Sequence, residues 1–153
     1  MSTRIGVLSD SHVRSLDGMP EKLIETLSSM DLIVHAGDFV ALQVYEDLKK
    51  LGDVRAVRGN MDEGALRVLL PEIDLLTIEG KKVGIIHGFG APWGIEERIR
   101  KQFDKVDIII FGHSHISKNE MIGGVHFFNP GPARRSCGVL EIAGDIRGTL
   151  VKY

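Results

Sequence analysis

Two histidines, His113 and His115, directly follow a short apolar segment and could bind a metal ion. The segment 107–111 is rich in β-branched residues, which favours a buried β-strand. Gly112 then allows the backbone to turn sharply. Imidazole is the commonest nitrogen ligand for metals, and two at this spacing can serve one ion or two adjacent ions. Taken alone, a polar loop that happens to hold two histidines is an equally good interpretation.

The rest of the chain repeats this arrangement. Apolar segments end in residues with carboxylate, imidazole or amide side chains, and the full set is Asp10, His12, Asp38, Asn60, His87, His113 and His115. Chance can place one such residue after a strand, but it seldom does so after five strands in turn. Ligands of open α/β sheets bind beyond the carboxyl ends of the strands. The pattern therefore predicts a single metal centre at one edge of the fold.

The mixture of ligand types indicates which ions this centre would bind. Oxygen ligands alone would favour Mg²⁺ or Ca²⁺, and thiolates would favour structural zinc. A mixed nitrogen and oxygen set favours Mn²⁺, Fe²⁺ or Zn²⁺, with Ni²⁺ and Co²⁺ as alternatives. Seven side chains are too many for one ion, whereas two ions that share a carboxylate need about this number. Two-metal sites suit in-line phosphoryl displacement.

Alternating strand and helix patterns position these residues. In the first half, strands are predicted over 4–9, 32–36 and 54–57 with amphipathic helices between them, which is typical of a parallel βαβ sheet. In the second half, hairpins are predicted over 73–86, 120–128 and 138–151, with a helix marked by Ile95, Ile99 and Phe103. Of the other histidines, His35 is expected in the core and His126 on the surface of a strand.

Length and composition narrow the class of protein. A chain of 153 residues predicts one domain over 1–153, and 43% hydrophobic with 26% charged residues is ordinary for a soluble globular protein. A net charge of −2 argues against a nucleic-acid polymer or a membrane surface as partner. Cys137 is the only cysteine, which excludes an intrachain disulfide and fits a cytoplasmic location. No apolar run suggests a signal peptide or a membrane span.

Five motifs occur in one order between Asp10 and Gly131: Asp-x-His, Gly-Asp, Gly-Asn-x-Asp, His-Gly and Gly-His-x-His. In this order they resemble the calcineurin-like metallophosphoesterases, and most of all the small bacterial and archaeal phosphodiesterases of the YfcE type. The resemblance implies an α/β fold (α+β in some classifications), a four-layer αββα sandwich of two mixed β-sheets. It also implies a metal-dependent phosphoric diester hydrolase.

The resemblance assigns a role to each matching residue. One ion would be held by Asp10, His12, Asp38 and His115. The other would be held by Asp38, Asn60, His87 and His113. Asp38 would bridge the two ions, and a hydroxide held by both would attack the phosphorus of a small phosphodiester, for which a nucleotide derivative is one candidate. Mn²⁺ is the first expectation for both ions.

Catalysis itself would rest on Asp38, Asn60 and His113, while Asp62 would orient a ligand. Asn60 and Arg134 are the candidates for substrate binding, although a solvated loop arginine is the favoured interpretation of Arg134. The oligomeric state is left open, with a homo-oligomer as one outcome.

Three positions depart from the family pattern. Met61 stands where larger members carry a histidine that can protonate the leaving group, so esters with poor leaving groups should react slowly. Phe89 replaces a second histidine, and Pro132 replaces a serine. These differences affect the substrate side of the site more than the predicted metal ligands.

A different class of function also fits the fold. The chain resembles Vps29-like interaction scaffolds, which would bind metal without significant turnover. Every metal-ligand position is filled here, and a scaffold has no physical reason to keep two carboxylates and four imidazoles together. The ligand set therefore favours the enzyme.

Overall fold

The computed structural model describes residues 1–153. Ten strands and four helices follow one another along the chain. They are β1 (Thr3–Leu8), α1 (Glu21–Ser28), β2 (Leu32–His35), α2 (Leu42–Leu51), β3 (Val54–Ala56), α3 (Ala65–Leu69), β4 (Ile73–Ile78), β5 (Lys81–Ile86), α4 (Ile95–Arg100), β6 (Ile108–Ile110), β7 (Lys118–Ile122), β8 (Val125–Asn129), β9 (Ser136–Ile142) and β10 (Ile146–Lys152).

The strands form two mixed sheets of five strands each. The first has the order β10-β9-β1-β2-β3, in which β1, β2 and β3 are parallel and β9 and β10 form an antiparallel hairpin beside them. The second has the order β4-β5-β6-β8-β7, in which β5, β6 and β8 are parallel between two antiparallel edge strands. Each sheet thus has three adjacent parallel strands, and helices connect β1 to β2, β2 to β3 and β5 to β6.

Alternating side chains of the strands form separate apolar layers. Val34 of the first sheet packs in a cluster with Ile85 and Ile110 of the second, so the two sheets face each other. The neighbouring Ile33 lies on the opposite face, in a cluster with Leu23 of α1 and with residues of α2. On the far side of the second sheet, α4 packs against Phe111 and Phe127. The predicted four-layer αββα sandwich is confirmed.

The packing of the two sheets brings the carboxyl ends of their parallel strands together. Within the first sheet, the N–H of Asp10 donates to the carbonyl of Gly37 at 2.9 Å. Within the second, the N–H of Gly112 donates to the carbonyl of His87 at 3.0 Å. The N–H of His113 donates to the Asp10 carboxylate at 3.1 Å and joins the loops of the two sheets.

Three details differ from the expectations. The helix α3 was not predicted, because five residues without a capping side chain leave too short a pattern to detect. The helix α4 ends at Arg100 rather than continuing to Phe103. His126 is buried, not a surface residue, because β6 and β7 flank its strand and its Nε2 lies 2.6 Å from Asn119 Oδ1. None of the four helices has the length and apolar character needed to cross a membrane.

Candidate metal centre

The seven predicted ligands all lie in segments that directly follow parallel strands. Asp10 and His12 follow β1, Asp38 follows β2, Asn60 follows β3, His87 follows β5, and His113 and His115 follow β6. Five strand ends from two sheets therefore contribute to one place, which is where ligands of α/β folds bind.

Two groups of side chains in this place have ligand atoms within 4.8 Å of one another. The first group is Asp10, His12 and His115, and the second is Asp10, Asp38 and His87. Asp10 Oδ1 lies 3.3 Å from His115 Nε2 and 3.8 Å from both His12 Nε2 and His87 Nε2. Asp38 Oδ2 lies 3.2 Å from His87 Nε2 and 3.6 Å from His12 Nε2. Each carboxylate therefore reaches imidazoles of both groups.

Two polar atoms of the centre are buried without a hydrogen-bond partner, namely Asp10 Oδ1 and His12 Nε2. Burying an unsatisfied carboxylate oxygen is costly unless a cation compensates it. A divalent ion between these atoms would satisfy both, and a mixed oxygen and nitrogen donor set suits Mn²⁺, Fe²⁺, Zn²⁺, Ni²⁺ or Co²⁺. The residues present thus fit a divalent metal ion.

Backbone carbonyls fix the tautomers of two imidazoles. His87 Nδ1 lies 2.7 Å from the carbonyl oxygen of Ala36, so this nitrogen carries the proton and donates it. His113 Nε2 donates in the same way to the carbonyl of Gly90 at 2.9 Å. In the neutral imidazoles, Nε2 of His87 and Nδ1 of His113 are the lone-pair nitrogens, and hydrogen bonding at the other nitrogen is what orients histidine ligands in metal sites.

The charged neighbours of Asp38 and His87 shift the pKa values of both groups. Burial raises the pKa of Asp38, but the hydrogen bond and charge of His87, the N–H of Met61 and the charge of His12 outweigh it, so that this pKa is lowered. Burial lowers the pKa of His87, but the hydrogen bond of Asp38 and the charges of Asp10 and Asp38 outweigh it and raise this pKa. Asp38 is therefore ionised at neutral pH, as a metal ligand must be.

Asp62 is completely buried and holds two loops of the centre through backbone N–H groups. Its carboxylate accepts the N–H of Asp38 at 2.9 Å, that of Gly59 at 2.8 Å and that of Val40 at 2.9 Å. Asp38 in turn accepts the N–H of Met61 through Oδ1 at 2.8 Å. Asp38 Oδ2 is thereby left free to face His12 and His87.

Five of the predicted ligands have a left-handed backbone. The φ angles are 52° for Asp10, 48° for His12, 63° for Asp38, 67° for His113 and 60° for His115. Such residues cost roughly 1–3 kcal/mol each and cluster where function requires a particular side-chain direction. Their concentration here indicates that the loops are shaped by the site rather than by local preference.

Two glycines of the sequence motifs leave space for the carboxylates. A Cβ on Gly112 would lie 1.9 Å from Ser9 Oγ, which donates to Asp10 Oδ2 at 2.7 Å. A Cβ on Gly59 would lie 2.2 Å from Asp38 Oδ1. These glycines therefore precede His113 and Asn60 because the backbone must pass against the two aspartates.

Sequence reasoning missed several supporting residues. The Asn129 side chain donates to the carbonyl of Gly112 and to Ser114 Oγ, both at 3.1 Å, and so holds the loop between His113 and His115. The Asn-Pro-Gly turn was a visible signal, but its contact with this loop was not. Ser9 and Ser11 are buried beside the centre and carry no distinguishing pattern.

His35 is confirmed as a core histidine below the centre. It is fully buried, and its ring stacks on Phe39 with the ring centroids 3.5 Å apart. Nδ1 accepts the N–H of Gly37, so that Nε2 carries the proton and donates it to Ser11 Oγ, both at 3.0 Å. Burial, followed by the charge of His87, holds its pKa well below the usual value.

The remaining predicted site residues lie at the margin of the centre. Asn60 Oδ1 is 3.1 Å from His87 Nε2, and the rings of His87 and His113 have centroids 5.2 Å apart. A cavity of about 380 Å³ begins at Asn60 and His87 and extends away from them. Arg134 is exposed and does not line this cavity.

The fold and the centre define a metallophosphoesterase. The chain belongs to the calcineurin-like phosphoesterase superfamily, whose domain model matches residues 3–143. The predicted family is confirmed.

Named relatives agree with this class, and a solved structure shares the fold. The chain is 35% identical over 133 residues to a probable metallophosphoesterase of Methanocaldococcus jannaschii, a match that covers 83% of this chain and 66% of the relative. It is 28% identical over 153 residues to a phosphodiesterase of the same organism, covering 90% and 86% of the two chains. A crystal structure of a Vps29 point mutant from Entamoeba histolytica superposes with a TM-score of 0.78 at 27% identity, covering 98% and 99% of the two chains.

Proposed function

We propose that this protein is a phosphodiesterase that uses two divalent metal ions to hydrolyse a small phosphodiester. The observation that carries the proposal is the position of Asp38 Oδ2, 3.6 Å from His12 Nε2 and 3.2 Å from His87 Nε2. One carboxylate oxygen between two imidazoles of different strand ends is what a shared ligand of two ions requires. Asp10 Oδ1 lies 3.8 Å from the same two nitrogens, and it is the match to the family motifs that assigns the shared position to Asp38. The unpartnered Asp10 Oδ1 supports the presence of a cation on the His12 side.

The two sets of ligands follow from the motifs. The distances support the grouping of Asp10 with His12 and His115 and of Asp38 with His87, and they also place Asp10 beside His87. One ion is held by Asp10, His12, Asp38 and His115. The second ion is held by Asp38, Asn60, His87 and His113. When bound, two such ions activate water for attack on phosphorus and neutralise the charge that develops on the phosphoryl oxygens. Mn²⁺ is the ion we expect first.

The protein groups around these ligands perform the remaining tasks. Asp62 keeps the loops of Asp38 and Asn60 in place through the three N–H groups that it accepts. Asn60 lies at the edge of the substrate cavity, where its amide can donate to a phosphoryl oxygen. Met61 is 53% exposed and has no proton to give, so the leaving group must depart without a side-chain acid at this position.

The proposal is tested by removing and restoring the metal. The purified protein is stripped with a chelator, and Mn²⁺, Ni²⁺, Zn²⁺ or Mg²⁺ is added back singly before hydrolysis of bis-p-nitrophenyl phosphate and of p-nitrophenyl phosphate is measured. We expect turnover that depends on metal and is faster for the diester than for the monoester. A preference for the monoester, or turnover unaffected by the chelator, would contradict the proposal.

A scaffold function is the second candidate, because the likeness to a Vps29 structure extends over 98% of the chain. The same experiment separates the two functions. Stoichiometric metal binding without turnover of either substrate would favour the scaffold. The single domain over 1–153, the cytoplasmic location and a homo-oligomeric state stay predictions.

A further inference from the structure

The cavity beside the metal centre has the size of a small-molecule site. Its volume of about 380 Å³ lies within the range of ligand pockets, roughly 300–1,000 Å³. Asn60 and His87 form the end next to the metal centre, and Arg67, Phe89 and Gln102 line other parts of its wall. A phosphodiester whose phosphorus lies at the metal centre can therefore extend one ester arm into the cavity.

Two arginines line this cavity, but only one of them is free to bind a ligand. Arg58 is engaged within the protein, since its Nη1 donates to the carbonyl of Leu70 at 2.8 Å and its Nη2 lies 3.8 Å from Glu72 Oε1. The guanidinium of Arg67 makes no hydrogen bond or ion pair with any residue. Because Arg58 and Glu72 offset each other, Arg67 supplies the unbalanced positive charge of the cavity wall.

Phe89 offers an apolar ring in the same cavity, and its loop is held in place. Arg98 Nη1 donates to the carbonyls of Phe89 at 2.6 Å and Ala91 at 3.0 Å, and its Nη2 donates to that of Trp93 at 3.2 Å. Phe89 is 44% exposed although it lines the cavity. A partly exposed ring on a fixed loop suits contact with a flat group of a ligand.

We infer that this cavity binds an ester arm that carries both a ring and a second anionic group, which makes the substrate a nucleotide-derived phosphodiester with an additional phosphate. Arg67 binds the second anion, because a guanidinium pairs with two phosphate oxygens at once. Phe89 contacts the ring. This inference rests on the proposed phosphodiesterase function and adds the substrate class and two specificity-determining residues.

The test compares three substrates with the same leaving group. Methyl p-nitrophenyl phosphate has neither a ring nor a second anion in its other arm. Thymidine 5′-(p-nitrophenyl phosphate) adds the nucleoside, and its 3′-phosphorylated form adds the second anion. With the metal-loaded protein, we expect KM to fall along this series while kcat changes little.

Substitution of Arg67 then isolates the contribution of the anion. Arg67→Gln should raise KM about tenfold for the 3′-phosphorylated substrate, a modest loss because the guanidinium–phosphate pair is exposed to water, and less than about twofold for the other two. Arg67→Lys should recover part of the loss, because it keeps the charge but not the paired geometry. Arg147→Gln, which removes an exposed arginine of β10, is the matched control and should change none of the KM values.

Phe89→Leu provides an independent test of the ring. We expect it to raise KM for both thymidine substrates and to leave the methyl ester unchanged. An equal KM for all three substrates in the wild type, or an equal effect of Arg67→Gln on both thymidine esters, would overturn the inference and leave the phosphodiesterase standing. Failure of the metal-loaded wild type to hydrolyse any of the three would instead overturn the proposed function, and the inference with it.

Discussion

The metal centre has two ends, one on the side of Asp38 and His87 and one on the side of His12 and His115. They differ in how deeply the side chains are buried and in how many hydrogen bonds orient them. Asp38 and His87, the buried pair, have side chains 4% and 3% exposed. His12 and His115, the open pair, have side chains 32% and 50% exposed. Asp10, whose side chain is fully buried, lies within 3.8 Å of imidazoles of both pairs.

Hydrogen bonds follow the same division. In the buried pair, His87 donates to Ala36 and the backbone of Asp38 donates to Asp62. In the open pair, the polar and aromatic contacts of the two imidazoles are limited to the carboxylates of Asp10 and Asp38 and to each other's ring. Ligands that are positioned before the metal arrives lose less entropy on binding. We therefore expect the ion at the buried pair to bind more tightly and the ion at the open pair to exchange more readily.

Removing Asp38, the proposed shared ligand, should have the largest effect. Asp38→Asn keeps the size of the side chain and an oxygen for the N–H of Met61, but it removes the negative charge. We expect most bound metal and more than about 99% of the diesterase activity to be lost, while the circular dichroism spectrum is unchanged. Turnover like that of the wild type would show that Asp38 is not a shared ligand.

A matched pair of histidine variants tests the difference between the ends. His87→Asn should weaken metal binding at the buried pair strongly, whereas His115→Asn should weaken only the more exchangeable ion, by about ten- to a hundredfold. Calorimetric titration of the stripped proteins with Mn²⁺ measures both affinities. Equal losses in the two variants would mean that the two ends do not differ as ligand sites.

A smaller effect is expected when the support of the buried pair is altered. Asp62→Asn replaces one acceptor oxygen by an N–H₂ group that would face backbone N–H donors, so the free energy of unfolding should fall by roughly 1–3 kcal/mol. Urea denaturation of the metal-free protein provides the measurement. The control is Asp74→Asn, which removes a partly exposed ion pair with Arg55 and should change stability little. Equal stability of the two variants would argue that Asp62 does not support the loops.

The smallest effect concerns His35 below the buried pair. Because burial lowers its pKa, the unfolded chain takes up a proton near pH 6.5 while the folded protein does not. The stability that His35 contributes is therefore fully present above pH 6.5 and is lost as the pH falls from there towards its folded pKa, by at most about 1.4 kcal/mol per pH unit. NMR titration should show a midpoint for His35 well below 6.5. A midpoint near 6.5 would contradict this description of the core.

The sequence was sufficient to predict which residues come together at the candidate metal centre, because apolar strand segments, turn glycines and polar residues recur in a fixed order. It could not predict how they are held. The carbonyls of Ala36 and Gly90 that orient His87 and His113 are backbone groups, which every residue carries. The left-handed φ of Asp10 and of four other predicted ligands contradicts local preference and is imposed by tertiary contacts.

The cavity beside the metal centre was equally hidden from sequence reasoning. Arg67 lies on α3, a helix of five residues that gave no periodic signal. Arg58 and Arg67 are alike in sequence, and only the hydrogen bond of Arg58 to Leu70 and its proximity to Glu72 show which of them is engaged. Arg134, the arginine that the sequence suggested for substrate binding, does not line the cavity.

The most direct test of the central claim is anomalous diffraction from crystals of the protein loaded with Mn²⁺. We predict two anomalous peaks about 3.5–4 Å apart, one on each side of the Asp38 carboxylate, with the more fully occupied peak at the buried pair. A single peak in crystals grown with excess Mn²⁺, or two peaks without Asp38 between them, would contradict a dinuclear centre bridged by this residue.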